Sequence, residues 1–446
     1  MPVRSRAVKP ATSAIVRATV SAMALPPGPR QPAIAQTTRW LRSHLDLLED
    51  CRRRYGDAFT LRFAGVGKLV FVSDPESARS LFTADRDNSL PAGRTLLLEP
   101  VLGPRSLILL EGEEHMRRRR LMLPPFHGER MRAYEQVVRQ ATERELEAWP
   151  RGSAFAIHPR MQAITLEVIL RAVFGVTDDA RRARLRELLP VFLAGTASAR
   201  LQLRVLLSRR LGLADPLARL RDSMRAVDEL LHDEIRERRA DPEVGERDDI
   251  LSMLVAARFE DGTRMDDDEL RDQLITLLLA GHETTATALA WTFDLLLRHP
   301  AVLDRLRASL DGDDAYLRAV VSEALRLRPV VPLAGRRLGS ELRTGDHVLP
   351  PGTDVTPAIW LVHTREDLYP EPLAFRPERF LDGGPETYAW VPFGGGVRRC
   401  IGASFAEFEM RVVLRTVLRA CELRAATSRA ERVARRNVTL APRTGT

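Results

Sequence analysis

Phe393-Gly-Gly-Gly-Val-Arg-Arg-Cys400-Ile-Gly402 is the stretch on which the reading of this chain turns. Three consecutive glycines strip side chains from one approach to the cysteine, and Gly402 strips another just past the sulfur. Such a loop lets backbone come close to something flat, or adopt dihedrals closed to other residues. The following residues, Ala403-Ser-Phe-Ala-Glu-Phe-Glu-Met-Arg-Val-Val-Leu414, read as a helix. Cys400 therefore stands just ahead of a helix N-terminus, where unpaired N–H groups and the dipole stabilise a thiolate. A thiolate held this way is a nucleophile or a metal ligand. Taken alone, a cysteine is more often a buried inert thiol.

The rest of the chain narrows the choice. A length of 446 residues leaves room for one large domain or two to three average ones. Hydrophobic content of 44% and charged content of 29% are those of a soluble globular protein. The net charge of +8 is almost all arginine, since Lys9 and Lys68 are the only lysines. The arginines alternate with acids along the chain, so compositional bias accounts for them better than a nucleic-acid surface. Cys51, Cys400 and Cys421 show no CxxC spacing and cannot all pair, which points to a reducing compartment, the cytoplasm. No apolar run approaches the ~20 residues needed to span a bilayer. The first acid is Asp46, so residues 1–25 read as a basic tail, a candidate for peripheral membrane contact. Pro26-Pro-Gly-Pro29 then marks a stiff hinge into the folded body.

From there the sequence shows no linker and no internal repeat, so residues 26–446 are expected to form one domain. Asp57 to Ser73 alternates as a hairpin around Gly65-Val-Gly67. Helical period runs through Met131–Trp149, Met161–Phe174, Arg221–Ala240, Asp266–Arg298 and Ala315–Arg328. From Pro329 to Pro392 short extended pieces and prolines take over. The expected class is mainly α with small β-sheets. A dinucleotide-binding βαβ unit is not evident, and Gly394 and Gly396 fail GxGxxG because Arg399 occupies the third position.

Three further constellations carry chemistry. Ala280-Gly-His-Glu-Thr-Thr285 lies midway along the longest helical stretch, where Gly281 costs about 0.5–1 kcal/mol relative to alanine. Glu283 and Thr284 set an acid beside a hydroxyl. His282-Glu283 is half of a HExxH zinc site, but Ala286 stands where the second histidine belongs. Glu323-Ala-Leu-Arg326 puts an acid and a base on one helix face, a pattern weak by itself. It gains meaning from Phe375-Arg-Pro-Glu-Arg379-Phe380 downstream. Finally, His115 and Arg119 share a face at i, i+4 in Glu111-Gly-Glu-Glu-His-Met-Arg-Arg-Arg-Arg120.

These stretches resemble the cytochrome P-450 superfamily in order and spacing. Phe393, Gly396, Arg398, Cys400 and Gly402 fit its FxxGxRxCxG pattern, and Ala280–Thr285 fits (A/G)Gx(D/E)T(T/S). The resemblance implies that fold in a single large haem domain, with Cys400 as axial ligand of haem iron. By position it also implies Phe393 and Gly394 beside the haem, and Arg398, His115, Arg119 and Arg336 as propionate partners, with Arg337 competing for the last place. Ala280 and Gly281 would leave room for dioxygen, and Thr284 and Glu283 would deliver protons to it. Glu323, Arg326 and Arg379 would form a structural network bracing the cysteine loop.

The implied activity is monooxygenation of a lipophilic small molecule of the fatty-acid or terpenoid kind, by a cytoplasmic monomer carrying haem b (iron protoporphyrin IX). The chain contains no flavin or iron–sulfur module, so electrons are expected from NAD(P)H through separate proteins, a ferredoxin or flavodoxin-type donor and its reductase. Arg117, Arg118 and Arg120 are candidates for a basic docking face toward that donor. Two rivals are a haem-thiolate isomerase or peroxygenase and a non-catalytic haem sensor. Glu283 and Thr284 favour dioxygen chemistry over the first of these. Leu90 to Leu110 is expected to help line the substrate pocket.

Overall fold

The computed structural model describes residues 25–84, 90–91, 99–128, 130–196, 218–436 and 439–446. The basic tail, save Leu25, lies outside the described residues, as do 92–98 of the expected pocket segment. The molecule is mainly helical. The principal helices are α1 (Ala33–Tyr55), α2 (Pro75–Thr83), α3 (Gly112–Met122), α4 (Arg130–Glu147), α5 (Ile157–Val168) and α6 (Asp179–Thr196). They continue with α7 (Ala218–Ala240), α8 (Asp267–Arg298), α9 (Pro300–Ser309), α10 (Ala315–Leu327) and α11 (Ala403–Ala420).

The 32-residue α8 is the axis of the core. Its start is fixed by Asp266, whose carboxylate accepts from Glu269 N–H at 2.9 Å, with three acids in the first turn to meet the dipole. Leu270, Leu274, Leu278, Leu289, Phe293 and Leu296 are fully buried along it, each contributing about 1.5–3 kcal/mol of burial. It packs against α5, α7, α10 and α11. A helix apolar nearly all round has to be central.

The hairpin expected around Gly65–Gly67 is present as β1 (Ala58–Phe63) and β2 (Gly67–Val72). It supplies two strands of a five-stranded sheet ordered β1-β2-β7-β4-β3, with β3 at Leu90–Pro91, β4 at Arg336–Arg337 and β7 at Asp354–Pro357. The N-terminal hairpin is thereby joined to the proline-rich stretch, β2 lying parallel to β7. Two-stranded ribbons are formed by β5 (Leu342–Thr344) with β6 (His347–Leu349), and by β8 (Val433–Arg436) with β9 (Thr439–Pro442). The latter is pinned to the core by Trp291, whose Nε1–H donates to the Leu440 carbonyl at 2.8 Å.

Besides α2, α6 and α9, which the periodicity reading does not include, two elements depart from it. The helix expected over Met161–Phe174 starts at Ile157 and closes in a π-helical turn, Ile169–Val173. A 3.6-residue template does not anticipate that widening. Helix α1 was not expected at all, although Gln36, Trp40, His44, Leu47, Leu48 and Cys51 line its buried face at helical spacing. Two of those six are polar, which hides the stripe.

Candidate functional site

The cysteine loop is shaped by backbone before any side chain acts. Gly394 and Gly396 sit at φ +66° and +65°, a region that favours glycine, and Cys400 N–H closes the loop onto the Phe393 carbonyl at 3.0 Å. Gly395 is held for another reason: a Cβ there would come within 2.6 Å of the Phe82 ring. The three glycines thus serve turn geometry and packing on Phe82. Beyond the 3₁₀ turn Gly396–Arg398, the chain enters α11 through Gly402.

Cys400 combines two properties. It is an exposed residue, yet the surrounding protein is dense enough that burial pushes its thiol pKa up. A backbone hydrogen bond from Gly402 and the charges of Arg119 and Arg399 oppose the burial effect and favour the thiolate.

Behind the loop lies a buried brace. Arg326 and Glu323 are completely buried and form a two-pronged pair, Nε to Oε2 at 2.6 Å and Nη2 to Oε1 at 2.8 Å. Arg379 Nε approaches Glu323 Oε1 at 3.5 Å, so the three expected members stand together. Arg326 also donates to the carbonyls of His363 at 2.7 Å and Pro372 at 2.8 Å. Three residues missed in the sequence carry this brace to the loop. His363 is held at Nδ1 by the Arg326 carbonyl and accepts from Val391 N–H at Nε2, 3.1 and 2.9 Å. Tyr369 donates to the Ala389 carbonyl at 2.9 Å beneath the Arg326 guanidinium, and Trp390 donates to the Ser322 carbonyl at 3.1 Å.

A cationic cluster adjoins the sulfur. His115 is buried, its Nδ1 has no hydrogen-bond partner, and its pKa is pushed down to about 3. Desolvation is the main cause, followed by the guanidiniums of Arg398, Arg119 and Arg336. Arg119 has no ion pair or hydrogen bond to its side chain among the described residues, and it senses the Cys400 charge. Arg398 donates to the Leu110 carbonyl. Arg336 is buried, bonded to the carbonyls of Ala334 and Gly335 at 3.2 and 3.1 Å, and lies over Phe82. Arg337 is exposed and spent on Asp354 at 2.8 and 2.9 Å, so Arg336 is the one that joins the cluster.

In α8 the expected polar turn splits into two groups. Ala280 is exposed midway along the mostly buried α8, and the Thr284 hydroxyl donates to its carbonyl at 2.5 Å. Glu283 engages α5 instead: Gln162 Nε2 donates to Oε2 at 2.7 Å and His158 Nε2 stands 3.6 Å from Oε1. Burial raises the Glu283 pKa. A Cβ on Gly281 would meet Ile169 at 3.6 Å, ordinary contact, so crowding on that side does not require the glycine. Among the described residues no group of three or more His, Cys, Asp or Glu side chains is placed to hold a metal ion.

The expected basic docking face is not free charge. Arg117 pairs with Asp261 at 2.5 Å, Arg118 with Glu269 at 2.7 Å, and Arg120 with Glu260 at 3.3 Å. These three fasten α3 to the 259–269 segment, and Arg117 also lies on the Phe259 ring.

The arrangement unites an exposed cysteine with an orphan imidazole nitrogen and three guanidiniums. That donor set suits a planar metal macrocycle bearing carboxylates: a soft ligand for the metal and fixed cations for the anionic edge. The comparisons agree. The family model described as Cytochrome P450 matches residues 26–445. Cytochrome P450 135B1 of Mycobacterium tuberculosis (strain ATCC 25618 / H37Rv) is 44% identical over 434 residues, 95% of this chain and 91% of that protein. Cytochrome P450 138 of Mycobacterium bovis is 40% identical over 426 residues, covering 94% of this chain and 95% of the other. Among solved structures, retinoic acid-bound cyanobacterial CYP120A1 matches with a TM-score of 0.82 at 25% identity, covering 95% of this chain and 98% of that one.

Proposed function

The chain belongs to the cytochrome P450 family of haem monooxygenases, and from that premise we propose that residues 26–446 are one haem domain that hydroxylates or epoxidises a lipophilic small molecule. Haem, when bound, supplies the activation of dioxygen. The chain's own residues would hold and tune it: Cys400 Sγ would supply the thiolate ligand to its iron, and His115, Arg119, Arg336 and Arg398 would take the propionates. The observation that carries this reading is Cys400, an exposed residue set in dense protein beside the Arg119 charge. Phe393 and Gly394 shape the sulfur's side of the pocket. Ala280 and Gly281 keep the other side low.

Thr284 and Glu283 move protons. The Thr284 hydroxyl is oriented by the Ala280 carbonyl, and Glu283 is kept closer to neutrality than an exposed acid by burial. One oxygen atom goes to substrate and the other leaves as water. Electrons come from NAD(P)H through a separate ferredoxin or flavodoxin-type donor and its reductase, to a monomer working in the cytoplasm. The retinoic acid bound to CYP120A1 supports an apolar, terpenoid or fatty-acid-like substrate here. Among the described residues no helix is long and apolar enough to cross a membrane.

The test is a screen of retinoids, terpenes, steroids and fatty acids for the spectral shift that follows displacement of water from the iron, then NAD(P)H-driven turnover with surrogate donors. Oxygenated product from a shifting ligand is expected. Thr284→Ala is expected to bind that ligand unchanged while wasting most electrons as peroxide. Tight coupling in that variant would contradict the proton role.

A further inference from the structure

The amino-terminal corner carries a surface that nothing in the haem chemistry uses. Six large hydrophobic residues are prominently exposed among the described residues, and three of them, Ile34 (71%), Leu41 (66%) and Val66 (78%), belong to this corner. Ile34 and Leu41 lie at i, i+7 on the outward face of the first part of α1, which ends at a break at Ser43. Val66 is at the tip of the β1–β2 hairpin. The helix is tied to that hairpin: Gln36 Oε1 accepts from Arg62 N–H and Thr37 Oγ1 from Ala64 N–H, both at 2.9 Å.

Along residues 25–45 and 58–73, which carry the apolar residues, every charged side chain is positive. Arg30, Arg42, Arg62 and Lys68 are exposed and have no carboxylate partner among the described residues, whereas neighbouring Arg39 is neutralised by Asp50. No Asp or Glu occurs in residues 25–45 or 58–73. Arg62 and Lys68 are direct cross-strand partners, so the hairpin bears two like charges side by side, an arrangement unfavourable unless an anion meets both. The chain also reaches the fold here: Thr60 N–H donates to the Pro27 carbonyl at 3.0 Å and its hydroxyl to the Pro26 carbonyl at 2.6 Å. The residues before that point add Arg4, Arg6, Lys9 and Arg17 and no acid.

We propose that this corner is a peripheral docking surface for an anionic lipid bilayer, with Ile34, Leu41 and Val66 entering the headgroup boundary and Arg30, Arg42, Arg62 and Lys68 on its phosphates. Exposed apolar residues ringed by unpaired cations suit that boundary. A nucleic acid accounts for the cations and leaves the apolar residues wet. The surface does not depend on the haem assignment, and its consequence is proximity to the membrane in which lipophilic substrates dissolve.

The full-length holoprotein is sedimented with vesicles of phosphatidylcholine alone and of phosphatidylcholine with phosphatidylglycerol, at low and high salt. Binding is expected only to the anionic vesicles and weaker at high salt. The triple variant Arg42→Glu, Arg62→Glu, Lys68→Glu is expected to lose at least about tenfold in partitioning, as is Ile34→Ser, Leu41→Ser, Val66→Ser. Reversal of Arg53 and Arg54, at the far end of α1, is expected to leave it near wild type. Thermal unfolding and ligand-induced spectral shifts are expected to be unchanged throughout, since every altered residue is exposed. Failure to bind anionic vesicles, equal binding by the variants, or capture by heparin without lipid binding would overturn the proposal.

Discussion

At the scale of single residues, the cysteine pattern was legible because five fixed residue types fall within ten positions, Phe393 to Gly402. His115 was legible only through its spacing to Arg119. The structure adds an unpartnered Nδ1 and a pKa near 3, which keep the imidazole neutral and a hydrogen-bond donor at ordinary pH. A hydrogen bond to a charged group is worth about 1.5–3 kcal/mol. His115→Ala is therefore expected to speed haem transfer to apomyoglobin by one to two orders of magnitude, with the far-ultraviolet circular dichroism unchanged. Unaltered transfer would remove His115 from the propionate set. His363 could not have been found this way. Its role depends on Val391 N–H, 28 residues away, and on a carbonyl of Arg326, and neither leaves a mark in sequence.

At the scale of elements, Glu323 and Arg326 read as a weak helix pair and turn out to be wholly buried, which reverses their energetics. An exposed pair contributes little, whereas removing one member of a buried pair costs about 3–5 kcal/mol because the other charge is stranded. Arg326→Ala is expected to lower the urea midpoint accordingly. Arg326→Lys is expected to recover little, since one ammonium cannot serve Glu323 and the carbonyls of His363 and Pro372 together. Full recovery by lysine would mean that charge alone matters. The glycine loop makes a second case. Gly395→Ala would press a methyl into Phe82 and is expected to cost about 1–3 kcal/mol in urea unfolding. Helix α1 and the π turn after α5 escaped notice because one mixes polar residues into its buried stripe and the other breaks the period.

At the scale of the whole molecule, the sequence displayed an excess of arginine but not where it was used. Arg117, Arg118 and Arg120 looked like a surface and are fasteners between α3 and the 259–269 segment. Burial also leaves titratable groups that couple stability to pH with opposite signs. His158 and His363 have pKa values pushed down by burial, to about 4 and about 3, so their contribution is full above about pH 6.5 and lost as pH falls toward those values. Glu409, unpartnered at Oε1 and fully enclosed in α11, is pushed up to about 8. Its contribution is full below about pH 4.5 and lost as pH rises to about 8. Glu409→Gln is thus expected to gain on wild type as pH rises from 5 to 8, by about 1.4 kcal/mol per pH unit at most. A difference independent of pH would show that the carboxyl is not held neutral.

We propose above all that Cys400 is the thiolate ligand of haem iron. The carbon monoxide difference spectrum of the dithionite-reduced protein tests it most directly. A red-shifted band of the thiolate-ligated ferrous carbonyl is expected for wild type, replaced by a histidine-type band in Cys400→His. A wild-type band at the histidine-type position, or one unaffected by replacing Cys400, would contradict the account.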